Sequence, residues 1–305
     1  PILDLSTETL LKNIIKATDE RIFEVSELLR RGITAFEIHS LTKIDLWFLQ
    51  KIQNIIDLEK LLSKEILDKE EILLLKMNGF ADSYIARTRK ISEVDFRKHR
   101  KELAINATFK MVDTCAAEFE SKTPYYYSTY EQESEAVLDQ RKSVLVLGSG
   151  PIRIGQGVEF DYATVHAIKA IKDLGMKAIV INNNPETVST DFNVSDTLYF
   201  DAVTFEDVMN IVDVEAPTGV ICQFGGQTAI NLIEQLENSG VKILGTSHDS
   251  TDLAENRERF EKALNELKIA QPIGTTVSNI EDALEKTKIH PYPLMPVSYT
   301  HLTLP

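Results

Sequence analysis

The sequence predicts an all-α N-terminal domain followed by an α/β domain built on a parallel sheet. Three observations carry that prediction. Of the 13 glycines, only Gly32 and Gly79 precede residue 141. The spacing of apolar residues changes from helical to strand-like at Lys142. The first strand after that change, Ser143-Val-Leu-Val-Leu147, runs directly into a glycine-rich loop from Gly148 to Gly157. A chain of 305 residues is long enough for about two domains with cores of their own, so no disulfide or metal staple is required.

The elements follow in order. Thr7 to Ile15 places apolar residues at helical spacing behind Ser6, whose hydroxyl can cap the helix. Arg21 to Arg31 predicts a second helix stopped by Gly32, and Ile33 to Thr42 a third. Ile44 to Leu58 gives the strongest helical pattern, with Leu46, Phe48, Leu49, Ile52, Ile55 and Ile56 on one broad apolar face. Glu70 to Met77 ends at Asn78-Gly79, and short helices are expected over 83–89 and 93–103. Residues 105–141 show neither period, and Thr123-Pro-Tyr-Tyr-Tyr-Ser-Thr-Tyr130 reads as an extended aromatic linker lying on a surface. Beyond the glycine loop come a helix over 160–174, strands over 177–181 and 197–200, a helix over 204–215, a strand over 219–222, a helix over 228–239 and a strand over 242–245. Helices over 250–267 and 280–288 end the pattern.

Composition removes several function classes. The formal net charge is −14, which disfavours nucleic acid or an anionic membrane as the main partner, because phosphate binding needs clustered Lys and Arg. No apolar run approaches the ~20 residues of a membrane helix, and no signal-peptide pattern opens the chain. Two distant cysteines, Cys115 and Cys222, read as free thiols of a reduced, cytoplasmic protein, with Cys222 buried and inert. The six histidines have no metal-ligand spacing, and no metal site is expected.

Three polar loops are the candidate chemistry, each expected at the C-terminal end of a strand, where open α/β sheets place ligands. The first is the glycine loop, with Gly148 and Gly150 at the spacing of a dinucleotide fingerprint but Arg153 at its third glycine position. The second, Asn184-Pro-Glu-Thr-Val-Ser-Thr-Asp191, offers Asn184, Glu186 and Asp191; it follows Asn182, where NAD-binding chains often carry the ribose carboxylate. The third, Gln223-Phe-Gly-Gly-Gln-Thr228, offers Gln223, Gly225, Gly226 and Gln227. The residues alone leave three readings open: a ligand-bearing α/β domain, an NAD(P)-dependent oxidoreductase with a helical partner domain, and a non-catalytic interaction module built on the helices. A glycine turn that merely lets a helix pack close to the sheet would produce the first loop as well.

Five segments in register sharpen this. Asp113-Thr-Cys-Ala-Ala-Glu-Phe119, Tyr127-Ser-Thr-Tyr-Glu131, Gly155-Gln-Gly-Val-Glu-Phe-Asp-Tyr162, Asn184 to Asp191 and Gln223 to Thr228 together resemble the middle of the carbamoyl phosphate synthetase large subunit, over about residues 1–290. The resemblance implies a helical oligomerisation domain over 1–120, an extended linker over 121–141, and a Rossmann-like pre-ATP-grasp domain over 142–270. Residues 271–305 would be the start of an ATP-grasp domain. The implied enzyme is a ligase that makes carbamoyl phosphate from bicarbonate, glutamine-derived ammonia and two ATP, for arginine and pyrimidine synthesis. Its partner would be a glutamine amidotransferase small subunit, and its ATP and Mg sites would lie outside this chain, leaving no catalytic residue and no cofactor within it. Arg153, Gly157, Glu159 and Glu186 would line the tunnel that carries carbamate between the two halves. The family pattern stops at Tyr292-Pro-Leu-Met-Pro296, where an Arg-Pro-Ser-Tyr segment is expected, and four of the ten prolines fall after residue 290. The expectation is therefore a central fragment with an aberrant tail, inactive alone.

Overall fold

The structure is a computed structural model that describes residues 2–119, 123–153, 155–270, 277 and 279–288. The expected tail over 291–305 lies outside the described residues. Two compact units divide the chain, residues 1–242 and 243–305.

Seven helices open the first unit: α1 (Thr7–Asn13), α2 (Arg21–Arg30), α3 (Ala35–Thr42), α4 (Leu46–Glu59), α5 (Lys69–Met77), α6 (Asp82–Arg89) and α7 (Glu93–Glu102). Local sequence sets their ends. Ser6 Oγ accepts from the Thr9 N–H at 3.1 Å, as expected. Thr34 with Glu37, and Asp68 with Glu71, close reciprocal capping boxes. Gly32 sits at φ +90° and Gly79 at φ +83°, the left-handed conformation that ends α2 and α5. The helices bury two cores, one around Leu10, Leu28, Ile38 and Leu49 and one around Ile72, Leu75, Ile85 and Phe96.

The broad face expected on α4 is not a single face. Leu49 and Ile56 are buried and Ile52 packs beside them, whereas Leu46, Phe48 and Ile55 are exposed. At 100° per residue, Leu49, Ile52 and Ile56 share one side of the helix, and Phe48 and Ile55 fall on another. With Trp47 they leave large apolar side chains in solvent.

The α/β part carries a six-stranded sheet: β1 (Thr108–Met111), β2 (Tyr125–Thr129), β3 (Ser143–Leu147), β4 (Lys177–Ile181), β5 (Thr197–Tyr199) and β6 (Gly219–Ile221), in the order β1-β2-β5-β4-β3-β6. Among these strands, β1 and β2 pair antiparallel and the other four pairings are parallel. Every residue of β3, β4 and β5 is buried, the signature of a parallel sheet interior. The fold is thus helices followed by a Rossmann-like parallel sheet.

Residues 105–141 correct the sequence reading. The segment expected to be a linker supplies β2, and β1 lies in a stretch that shows neither period and that the resemblance places in the helical domain. The aromatic residues drive this. Phe109 of β1 meets the Tyr199 ring edge-on at 4.8 Å, and Tyr126 of β2 packs on the same ring at 5.8 Å.

Further elements are α8 (Gly157–Asp173), α9 (Phe205–Glu215), α10 (Gly226–Ile230) and α11 (Ile233–Asn238). α8 begins three residues earlier than its apolar pattern suggests. The helix expected over 228–239 is two, broken at Asn231–Leu232, and the strand expected over 242–245 is reduced to a single bridge. In the second unit, the helix expected over 250–267 is split into α12 (His248–Glu255) and α13 (Arg257–Glu266). Asn256 makes the break: its side chain accepts from the Glu258 and Arg259 N–H groups and caps α13. α14 (Ile280–Thr287) follows.

Candidate functional site

The sheet order places a topological switch point beside β3. The chain moves from β3 through β4 to β5 on one side and returns to β6 on the other. The loops after β3 and β6 therefore leave neighbouring strand ends at the point where such sheets open a crevice.

Backbone contact between those two loops explains their glycines. A Cβ on Gly225 would stand 2.6 Å from the Gly148 carbonyl and 2.9 Å from the Leu147 carbonyl. A Cβ on Gly148 would stand 2.6 Å from Asn182 Cγ. Asn182, the residue after β4, is 1 % exposed and holds the first and second loops together. Its Oδ1 accepts from the Gly150 N–H at 3.1 Å and from the Asn184 N–H at 3.2 Å. Asn184 in turn reaches the Gly150 carbonyl through Nδ2 at 3.4 Å and accepts the Glu186 N–H through Oδ1 at 3.0 Å.

A second tie comes from α8. The Asp161 carboxylate is buried and accepts the Val188 N–H at 2.8 Å and the Ser189 N–H at 3.1 Å. Thr190 Oγ1 donates to the Thr187 carbonyl at 2.7 Å, and Tyr125 of β2 donates to the Thr190 carbonyl at 3.0 Å. The base of the second loop is buried at Thr187, Ser189 and Thr190, while Glu186 is exposed.

The expected site residues divide accordingly. Gly148, Gly150, Asn184 and Gly225 build the junction, whereas Gly226, at φ +61°, faces the Phe160 ring instead. Arg153, Glu159 and Glu186 are exposed on the loops and first helical turn that the junction carries, and Gly157 opens α8. Asp191 lies beside the Tyr125 phenol, which burial and that carboxylate push above its ordinary value. Gln227 bonds along its own helix to Asn231 at 2.9 Å. Neither Asp191 nor Gln227 joins the Asn182 junction, and Gln223 is half-buried. Cys222 is buried as expected, and burial pushes its thiol up to about 12. His166 is exposed against the Tyr162 ring at 4.3 Å. Among the described residues no group of three or more His, Cys, Asp or Glu could hold a metal ion, and no helix is long and apolar enough to cross a membrane.

Sequence reasoning missed a buried polar cluster that joins α5, α6 and α7 to α9 and to Tyr130. Lys76 Nζ, on α5, lies 2.6 Å from Glu206 Oε1 and donates to the Phe80 carbonyl at 2.7 Å. It also lies 2.8 Å from Asp82 Oδ1, as a charge contact without hydrogen-bond geometry. Arg100 grips the other Asp82 oxygen with Nε and Nη2 at 3.1 and 2.8 Å. Glu206, on α9, accepts the Asp82 N–H and the Tyr130 hydroxyl, each at 2.6 Å. Arg97 donates to Asn210 Oδ1 at 2.7 Å and pairs with Asp213. Burial alone would raise the Glu206 carboxyl; Lys76, the Asp82 amide and Tyr130 outweigh it and hold the group below its ordinary value of 4.5. The partners on α9 lie 76 to 124 residues in the chain from Tyr130, Arg97 and Asp82, so no local pattern announces them.

A helical module followed by a Rossmann-like sheet, with its loops fastened at the switch point, is the arrangement of an oligomerisation domain preceding a pre-ATP-grasp domain. Residues 3–104 match the family model described as the carbamoyl-phosphate synthetase large chain oligomerisation domain. Residues 140–253 match the one described as the carbamoyl phosphate synthase preATP-grasp domain. The chain belongs to the carbamoyl phosphate synthetase large-chain family. Among solved structures it is similar to N5-carboxyaminoimidazole ribonucleotide synthetase from Thermus thermophilus at 18 % identity and a TM-score of 0.35, covering 48 % of this chain and 36 % of that one. It is also similar to the biotin carboxylase subunit of pyruvate carboxylase, at 17 % identity and a TM-score of 0.33, covering 50 % of this chain and 34 % of that one. The chain spans about a third of the length of these two structures.

Proposed function

We propose that this chain is the central part of a glutamine-dependent carbamoyl phosphate synthetase large chain, and that its sheet-edge loops form a wall of the passage taken by carbamate. In this reading Arg153, Gly157, Glu159 and Glu186 guide the intermediate and do no bond chemistry. ATP and Mg act elsewhere in the enzyme, and a glutamine amidotransferase partner supplies ammonia. One observation carries the reading: Asn182 and Asp161 fasten the loops after β3 and β4 by internal hydrogen bonds, while Arg153 and Glu186 on those loops, and Glu159 on the first turn of α8, stay exposed. A short-lived small anion needs polar groups held in fixed positions, which in the whole enzyme would be shielded from bulk water. The test is the ATP hydrolysed per carbamoyl phosphate formed by the full large chain with its partner. Glu186→Gln and Arg153→Ala should raise that ratio, because stray carbamate is lost to water. An unchanged ratio in both would overturn the reading.

The same junction speaks against a dinucleotide-binding oxidoreductase. The Gly150 N–H that would face a pyrophosphate is bonded to Asn182, and the Asn182 side chain fills the space above Gly148. Calorimetric titration with NAD or NADP should show no binding, and tight binding would revive that alternative. Self-association through the helices is part of the proposal. It is supported by the exposed Phe23, Phe36, Trp47 and Phe48, apolar side chains of the size that subunit contacts bury.

A further inference from the structure

We infer that Asn182 and Asp161, neither of which touches an intermediate, are positioning residues that set where Glu186 and the glycine loop stand. This rests on the carbamate-passage reading above. The two residues hold the second loop from opposite ends. Asn182 fixes its start by accepting the Asn184 N–H at 3.2 Å, and Asn184 then accepts the Glu186 N–H at 3.0 Å. Asp161 fixes the far side at Val188 and Ser189, at 2.8 and 3.1 Å. Glu186 lies between the two anchors, exposed, with Thr187 buried behind it. Asn182 also accepts the Gly150 N–H, so the glycine loop and the Glu186 loop share one support.

Both anchors are buried, so neither offers its polar atoms to a ligand from solvent. Their oxygens are spent on backbone N–H groups of the two loops. Asp161 lies two residues beyond Glu159 on α8, so its bond to the second loop also ties Glu159's helical turn to Glu186's loop. The carboxylate on one helix and the amide at one strand end thus set the separation of three groups that would meet the same small anion. Misplacing a group that must meet a substrate acts on transfer more strongly than on fold.

The experiment compares Asn182→Leu, Asn182→Asp, Asp161→Ala and Asp161→Asn in the full large chain with its partner, beside Glu186→Gln. The first readout is the ATP hydrolysed per carbamoyl phosphate formed. It is a ratio within active molecules, so a fraction of unfolded enzyme does not move it. The second is hydrogen exchange at the Val188 and Ser189 amides. Asn182→Leu and Asp161→Ala should raise the ratio by roughly tenfold, well within the ~100-fold that a misplacement of about 1 Å can cost. Asn182→Asp keeps the accepting oxygen and should restore most of the coupling; Asp161→Asn keeps one acceptor and should fall between. Asp161→Ala should also speed exchange at Val188 and Ser189. If Glu186→Gln raises the ratio and the Asn182 and Asp161 variants do not, the positioning roles are wrong and the passage reading survives. If the anchors raise the ratio and Glu186→Gln does not, the anchors stand and the role of Glu186 falls. If none moves it, both ideas fall.

Discussion

Replacing Lys76 by methionine tests whether the buried charges that join α5, α6 and α7 to α9 act as one unit. Lys76 is 4 % exposed and serves two carboxylates, at 2.6 Å from Glu206 and 2.8 Å from Asp82. Methionine fills a similar volume, so little of the effect comes from a cavity. Asp82 keeps Arg100 at 2.8 Å, whereas Glu206 keeps the Asp82 N–H, the Tyr130 hydroxyl and the more distant charge of Arg100, and loses its direct cation. The expected loss is about 3 kcal/mol, the lower end for breaking a buried ion pair from one side, because those two hydrogen bonds remain. Adding Glu206→Gln removes the stranded charge. The double variant should then be more stable than the sum of the singles by about 1–2 kcal/mol. Urea unfolding followed by circular dichroism measures all three. The pH dependence gives an independent arm with a definite sign. Glu206 is held below 4.5 in the folded chain, so its contribution is present above the ordinary glutamate value and is lost as pH falls through the lower folded value. Glu206→Gln should flatten the stability profile in that acid window and leave the neutral-to-basic limb unchanged in shape. A Lys76→Met loss under ~1 kcal/mol, with additive singles, would refute the account: such values belong to exposed ion pairs.

Three further outcomes follow from the geometry. Gly225→Ala should cost about 1–3 kcal/mol, since its Cβ would stand 2.6 Å from the Gly148 carbonyl and 2.4 Å from Ala229 Cβ; a thermal melt indistinguishable from the parent would count against close loop packing. Trp47→Ser with Phe48→Ser should shift sedimentation toward smaller species while leaving far-ultraviolet dichroism unchanged, because both side chains are exposed on α4. Cys222, buried with its thiol pushed up to about 12, should resist alkylation at pH 8 in the folded chain while half-buried Cys115 reacts; equal rates would contradict the burial.

Legibility in the sequence followed the range of the forces involved. Helix ends were readable because capping is local: Ser6, Gly32 and Gly79 act within a turn of their own position. Strands β3 and β4 were readable because central parallel strands are apolar throughout. β1 and β2 were not, since their pull into the sheet comes from Tyr199, over 70 residues from either. The loops were located by their glycines, yet their fastening was missed for a related reason. An asparagine after a strand reads as an absent ribose carboxylate; only the fold reveals that the same side chain occupies the space above Gly148 and takes the Gly150 N–H. That one substitution of role turns a loop with two of the three dinucleotide glycines into a closed hydrogen-bonded corner. The glycines serve backbone approach, Gly225 against the Gly148 carbonyl and Gly148 against Asn182, and no cofactor is needed to explain them. Glycine spacing alone therefore could not separate a phosphate cradle from a packed corner. The residue that closes the next strand decides between them, because it determines whether the amides point at a ligand or at a neighbouring side chain.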